Sequence, residues 1–475
     1  MDLIEAGMDV ARINMSHGSY EAHNELISNV RAASKKLEIP VGILMDLQGP
    51  KIRTGKLVSK IMLTEGQTIF FRGIDPTAKQ TLADGSKENP VEITFPRLAR
   101  DLKAGDLLLI EDGLLRMKVV RTWPDDSLLE ATVLSGKSLG EKKGVNFPDA
   151  KLSALGVTEK DWADILFGLE QDVDFFALSF VRSAKEVRYL KSFLQEQGKN
   201  IHVIAKIEKA EAVKELEEIV FHSDGVMVAR GDLGVEIGNE AVPLIQKHII
   251  RVAQKHAKPV ITATQMLLSM VDNPTPTRAE ASDVANAVID GSDALMLSNE
   301  TSVGEYPIDT VKMMDKIIVG AEDYKPTHPR VVEVLKHFET KRTAVSEAIE
   351  AAATVLATSL NAKVIACLTR SGSSARLLSK NRPSMPIIAF AENPKVRAQL
   401  CLSWGVSVVP WKEMPQQDYT IFDELLEELD RIGLMKISEV AILTAGIPTT
   451  RRIGTTNTVV VRHLERHVDE RIKNR

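Results

Sequence analysis

Short apolar runs of strand length, each followed by a helical stretch, recur through most of residues 1–324, and this alternation limits the fold more than any other feature. A strand–helix–strand rhythm demands parallel strands joined by crossover helices. The runs Val10–Asn14, Val41–Leu47, Asp174–Val181, Ile201–Glu208, Gly225–Asp232, Pro259–Gln265 and Ala294–Asn299 read as those strands. Helical patterning predicts crossovers over Glu21–Leu37, Ala184–Gln197, Lys209–Phe221, Ala241–His256, Arg278–Ile289 and Pro307–Ala321. Closure of a (β/α)8 TIM barrel needs an eighth strand. Asp2–Ala6 reads as the end of a helix standing directly before the first run, so the expectation is a barrel whose first strand is missing at the amino end.

Between Gly55 and Phe147 the rhythm breaks into short runs, Gln67–Arg72, Leu107–Ile110, Leu115–Val120 and Leu128–Leu134, separated by Gly and Asp turns. That is the pattern of an all-β module, and one inserted at a barrel's catalytic rim serves as a lid. Thr158-Glu159-Lys160-Asp161 is a capping pattern that restarts the helices. From Lys325 the character changes again. Pro326-Thr327-His328-Pro329 reads as a linker, followed by the helix Ala344–Leu360 and the strands Lys363–Thr369, Met385–Phe390, Val406–Trp411, Val440–Ala445 and Thr458–Arg462. The expected division is a catalytic barrel of residues 1–54 and 149–324, a β-barrel lid of 55–148, and a C-terminal α/β domain of 325–475.

Composition excludes more than it identifies. A formal net charge of −5 gives no reason to expect nucleic acid or an anionic membrane as partner. The two cysteines, Cys367 and Cys401, have no metal-ligand spacing and fit a reducing compartment. No signal-peptide pattern opens the chain and no apolar run approaches membrane-spanning length, so the expected location is the cytoplasm.

Two runs put charge where a buried strand should be apolar. His202-Val203-Ile204-Ala205-Lys206-Ile207-Glu208 and Gly225-Val226-Met227-Val228-Ala229-Arg230-Gly231-Asp232 each begin as a strand and end in a carboxylate. Side chains two apart on a strand share a face, so Lys206 and Glu208 are expected to point the same way. Buried charges are costly unless they are paired or bound to a metal or ligand. Neighbouring parallel strands end at one rim, where barrel enzymes hold their chemistry. The pattern suggests a divalent metal on Glu208 and Asp232, with Lys206 beside it to meet an anionic substrate. Plainer readings stay open: a structural Lys206–Glu208 ion pair, and Asp232 as a helix cap.

Seven segments then fall into a known order. They are Ala11-Arg12-Ile13-Asn14-Met15-Ser16-His17-Gly18, Met45-Asp46-Leu47-Gln48-Gly49-Pro50-Lys51-Ile52-Arg53-Thr54-Gly55, the Lys206–Glu208 strand, Ala229-Arg230-Gly231-Asp232-Leu233-Gly234, Ala263-Thr264-Gln265-Met266-Leu267, Arg278–Asn286 continuing to Leu297-Ser298-Asn299-Glu300-Thr301, and Gly454-Thr455-Thr456-Asn457-Thr458. Together they resemble the motifs of the pyruvate kinase family. The resemblance implies the glycolytic transfer of a phosphoryl group from phosphoenolpyruvate to ADP, giving ATP and pyruvate. It implies Mg2+ on Glu208 and Asp232, Lys206 stabilising charge on the phosphoryl and the enolate, and Arg12 holding the phosphate. Arg53 would contact nucleotide phosphates. The N–H groups of Gly231 and Asp232, with Thr264, would seat the substrate carboxylate, and Thr264 and Ser298 would organise the water that protonates the enolate. A homotetramer is also implied.

Many members of that family hold K+ through the counterparts of Asn14, Ser16, Asp46 and the Leu47 carbonyl. They carry Thr-Lys where this chain has Leu47-Gln48, and Glu where it has Lys51. A tethered ammonium can supply the charge of a bound K+, so Lys51 is expected to replace the ion and K+ is not expected to be required. In the C-terminal domain, Thr369-Arg370-Ser371-Gly372-Ser373-Ser374-Ala375-Arg376 follows a strand and opens a helix, a place where free N–H groups favour an anion. The resemblance implies that Thr369, Ser371, Gly372, Ser373 and Ser374 hold the phosphate of a sugar-phosphate or AMP effector; a simple turn and cap is the alternative. Two competing functions remain: a Mg-dependent lyase acting on pyruvate or phosphoenolpyruvate, and an inactive or impaired relative lacking its first strand.

Overall fold

The computed structural model describes residues 1–148, 150, 152–153, 156–324, 345–412, 420–447 and 456–464. The expected linker at 326–329 lies outside them, as does Gly454-Thr455 of the closing motif. Strands β1 (Val10–Asn14) and β2 (Gly42–Asp46) flank the helix Tyr20–Leu37, which Ser19 opens by accepting from the Ala22 amide. The chain then leaves for the lid: β3 (Ile61–Met62), β4 (Thr68–Gly73), β5 (Val91–Ile93), β6 (Leu107–Ile110), β7 (Leu115–Trp123), β8 (Leu128–Ser135), β9 (Ser138–Leu139) and β10 (Val145–Asn146). Six of these form a sheet in the order β10-β6-β7-β8-β4-β5, closed over its own core of Phe71, Ile93, Leu108, Met117, Leu129 and Phe147. The chain re-enters through a helix, Glu159–Glu170, whose Thr158 and Asp161 form the expected capping box.

Five further strands follow: β11 (Phe175–Leu178), β12 (His202–Ile207), β13 (Gly225–Ala229), β14 (Val260–Ala263) and β15 (Ala294–Leu295). With β1 and β2 they make one seven-stranded parallel sheet in chain order. Side-chain alternation divides it into two layers. Ile43, Met45, Phe176, Leu178, Val203, Ala205, Val226 and Val228 pack outward against the helices. Leu44, Phe175, Ala177, Ile204, Met227 and Ile261 pack inward, together with Leu402 from the C-terminal part of the chain. β1 and β15 are not paired with each other among the described residues. The sheet curls so that both line one cleft of about 2550 Å3.

The strands stop sooner than the apolar runs suggest. β11 ends before Phe180 (φ 55°) and β14 before Thr264 (φ 72°) and Gln265 (φ 54°). A left-handed residue cannot continue a strand, and none of these is glycine. β13 gives way at Arg230 to a helix, Arg230–Ile237, so Asp232 stands in the first turn of a helix rather than at a strand end. The expected helix Lys209–Phe221 is two helices, Ala210–Lys214 and Leu216–His222, broken at Glu215.

The C-terminal sheet comprises β16 (Val364–Leu368), β17 (Ile387–Ala391), β18 (Val406–Pro410), β19 (Val440–Ala445) and β20 (Thr458–His463), ordered β18-β17-β16-β19-β20 with only β20 antiparallel. The helix Val345–Ser359 on one face buries Glu350, whose carboxyl meets the Thr444 hydroxyl at 3.3 Å. Burial pushes that carboxyl up to about 8, only partly offset by its hydroxyl partners. Against the barrel, Arg382 donates to Asp293 (3.0 Å) and to the Gly291 carbonyl (2.6 Å), and its guanidinium lies 5.0 Å from the Trp404 ring centroid. No helix among the described residues is long and apolar enough to cross a membrane.

Candidate active site

The ends of β1, β2, β12 and β13 bring five charged groups, Arg12, Asp46, Lys206, Glu208 and Asp232, to one rim, and the end of β11 adds Ser179. Lys206, near the end of β12, is 12 % exposed in its side chain. Its ammonium lies 2.8 Å from the Ser179 hydroxyl, 2.9 Å from Glu208 Oε1 and 3.1 Å from Asp46 Oδ1. Burial disfavours the charge on Lys206, but Asp46 and Glu208 outweigh it and hold the ammonium strongly protonated. Arg12 on β1 grips Asp46 through Nε (2.7 Å) and Nη2 (2.6 Å), and reaches the Ser298 hydroxyl at 3.5 Å. Asp46 is almost wholly buried; burial would raise its carboxyl, yet Lys206 and Arg12 hold it below the usual carboxylate range. The expected grouping of Arg12, Asp46, Lys206, Glu208 and Ser298 is therefore a physical cluster.

Glu208 stands one residue past the end of β12. The Phe180 amide donates to its Oε2 at 2.7 Å, and Oε1 meets the Lys206 ammonium at 2.9 Å. Each carboxylate oxygen keeps a further lone pair beyond that one contact, which a cation can complete. Asp232 faces the same space, its carboxyl raised to about 6 by burial and by repulsion from Glu208. Two hard oxygen donors kept apart by mutual repulsion fit Mg2+, which binds through one or two carboxylates and takes its other oxygens from water and substrate.

Thr264 sits in the strained turn after β14. Its hydroxyl donates to the Ala263 carbonyl (2.6 Å) and accepts from the Gly231 amide (3.0 Å), so the turn is joined to the first turn of the Arg230–Ile237 helix. Arg230 secures it from behind, donating to the carbonyls of Ala263 and Thr264 while bound through Nη1 to both Asp283 oxygens. Glu300 is buried and accepts from the Ser298 and Leu267 amides. Arg230, Asp283 and Glu300 lie inside the quoted motifs but carried no role there, and Ser179 and Phe180 carried no signal beyond their expected strand.

Asn14 accepts from the Ser16 amide (3.1 Å), and Lys51 donates to the Ser16 hydroxyl (3.3 Å), so Lys51 enters the expected monovalent-cation region beside Asp46 and Leu47. Burial lowers the Lys51 ammonium pKa, opposed by Asp232 and reinforced by Lys206 and Arg53. Between rim and lid, Lys51, Arg53, Lys143, Asn146, Lys209 and Asp232 line a second cavity of about 370 Å3. Asn146 of the lid donates to Glu236 (3.0 Å), which also pairs with Lys209 (2.6 Å), tying lid to barrel.

Comparison with known proteins decides the family. The model described as "Pyruvate kinase, barrel domain" matches residues 1–311, and "Pyruvate kinase, alpha/beta domain" matches 347–462. The chain belongs to the pyruvate kinase family. It is 42 % identical over 464 residues to a pyruvate kinase of Mycobacterium tuberculosis, covering 97 % of this chain and 94 % of that one. It is also 42 % identical to a pyruvate kinase of Geobacillus stearothermophilus over 465 residues, 97 % of this chain and 77 % of the relative. A solved pyruvate kinase structure from Cryptosporidium parvum superposes with a TM-score of 0.89 at 36 % identity, covering 97 % of this chain and 92 % of that one.

Away from the rim, the pyruvate kinase C-terminal domain places the loop after β16 as follows. Thr369 Oγ1 accepts from the Gly372 amide (3.0 Å), and Gly372 adopts φ 77° at the start of the helix Ser373–Lys380. Ser374 faces the Thr456 hydroxyl at 2.6 Å in the domain interior. Ser371 and Ser373, bonded to each other at 3.2 Å, are the partly exposed hydroxyls.

Proposed function

We propose that this chain transfers the phosphoryl group of phosphoenolpyruvate to ADP, giving ATP and pyruvate in glycolysis. The observation that carries the reading is Lys206 held between Asp46 and Glu208 at the rim that also presents Arg12, Asp232 and Thr264. Phosphoryl transfer asks a protein to align reactants and to neutralise spreading negative charge. Arg12 binds the phosphate as a fork. Lys206 meets charge on the phosphoryl and then on the enolate oxygen. The Gly231 and Asp232 amides with the Thr264 hydroxyl seat the carboxylate once substrate replaces the Gly231–Thr264 and Thr264–Ala263 bonds, and Arg53 faces the nucleotide phosphates. Thr264 and Ser298 order the water that delivers a proton to the enolate carbon. Glu208 and Asp232 would hold Mg2+, which would supply Lewis-acid neutralisation of the developing negative charge.

In this reading Lys51 supplies the charge that K+ provides elsewhere, so K+ is not required. The proposed division is a barrel of residues 1–54 and 149–324, a lid of 55–148 and a regulatory domain of 325–475, whose Ser371–Ser374 loop takes a sugar-phosphate or AMP effector. A cytoplasmic homotetramer completes the proposal. The test is pyruvate formation from phosphoenolpyruvate and ADP with Mg2+. Lys206→Met is expected to lower kcat by a factor on the order of 1,000 and, by leaving Asp46 and Glu208 buried without their ammonium, to lower the melting temperature as well. Turnover equal to wild type in that variant sinks the assignment of Lys206.

A further inference from the structure

Ser179 is almost wholly buried, one residue past the end of β11, and belongs to no motif. Its hydroxyl carries one proton and two lone pairs. Of its acceptors the Leu47 carbonyl is nearer, at 2.7 Å, than Asp46 Oδ1 at 3.4 Å, so the proton goes to Leu47 and the lone pairs face Lys206 at 2.8 Å. The three N–H donors of the ammonium thus meet three acceptors, Ser179 at 2.8 Å, Glu208 Oε1 at 2.9 Å and Asp46 Oδ1 at 3.1 Å, of which the hydroxyl is the nearest and the neutral one. The next residue, Phe180, takes φ 55°, and this turns its amide onto Glu208 Oε2. Consecutive residues thus hold the two members of the charged pair from one side.

We propose that Ser179 is a positioning residue for the phosphoryl transfer: it aims the Lys206 ammonium into the site and ties that aim to the Leu47 carbonyl in the monovalent-cation region. The inference rests on the proposed function. Without the hydroxyl, Lys206 keeps its charge and is drawn down between Asp46 and Glu208, away from the substrate. The defect belongs to the chemical step, not to binding of the carboxylate or phosphate, which Thr264 and Arg12 serve.

Steady-state kinetics, melting temperature and Mn2+ titration of wild type, Ser179→Ala, Ser179→Thr and Lys206→Met test it. Ser179→Ala is expected to lower kcat between about 10- and 100-fold, the scale of a misplacement near 1 Å. Its KM for phosphoenolpyruvate should stay within about threefold, with melting temperature and Mn2+ affinity unchanged, and Ser179→Thr, which keeps the oxygen, should recover most of kcat. Wild-type kcat in Ser179→Ala, alongside a silent Lys206→Met, overturns the proposal alone. So does loss confined to KM, or a folded Ser179→Thr no better than Ser179→Ala. A wild-type chain that makes no pyruvate overturns the functional reading, and the positioning role falls with it.

Discussion

Lys51 donates to Ser16 while sitting within the field of Asp232, Lys206 and Arg53. If its ammonium stands in for a monovalent ion, removing it creates a demand for one. Lys51→Glu is therefore expected to lose most activity in tetramethylammonium buffer and to regain at least tenfold with KCl, whereas wild type changes little between the two salts. Strong KCl activation of wild type would contradict the substitution. The charged members of the site were legible because buried charge in an apolar run is expensive and needs a reason. Ser179 was not. One hydroxyl in Phe175-Phe176-Ala177-Leu178-Ser179-Phe180 looks like any strand position, and its meaning depends on where Lys206 and Leu47 arrive from distant sequence.

At the scale of elements, the strands and crossover helices were readable because period 2 and period 3.6 are local properties. Their ends were not. Phe and Thr favour strands, so sequence extends β11 and β14 through Phe180 and Thr264, where the chain instead takes left-handed turns. Tertiary bonds compensate for those turns: Glu208 holds the Phe180 amide, and Arg230 holds the Thr264 carbonyl. Asp283 in turn orients Arg230. Asp283→Asn, which weakens that bidentate pair, is expected to raise KM for phosphoenolpyruvate about tenfold, a loss of roughly 1.4 kcal/mol at the carboxylate seat. An unchanged KM would show the turn to be held by other contacts.

For the molecule as a whole, three cores and their order along the chain follow from the switch in patterning at the lid and after residue 324, while the buried groups inside each core do not. Glu350 gives the C-terminal domain a pH dependence. Its folded-state pKa is about 8 against a reference of 4.5, so the folded chain binds this proton more tightly than the unfolded chain. The stabilisation is fully present below about pH 4.5 and is lost as pH rises to about 8. Glu350→Gln removes the proton exchange. Between pH 5 and pH 8 wild type should lose on the order of 3 kcal/mol more stability than this variant, read as a steeper fall of the domain's melting temperature. Parallel curves for the two proteins would place the ionised carboxylate in a better-solvated setting than its burial suggests.

Leu402 belongs by sequence to the C-terminal part of the chain, yet it packs among Leu44, Phe175, Ile204 and Met227 inside the barrel. The barrel is thus stoppered from below by a residue that follows it in the chain. Trimming the chain to its barrel would leave a vessel without a floor, so the barrel is expected to keep its inner packing only while the C-terminal part supplies the stopper.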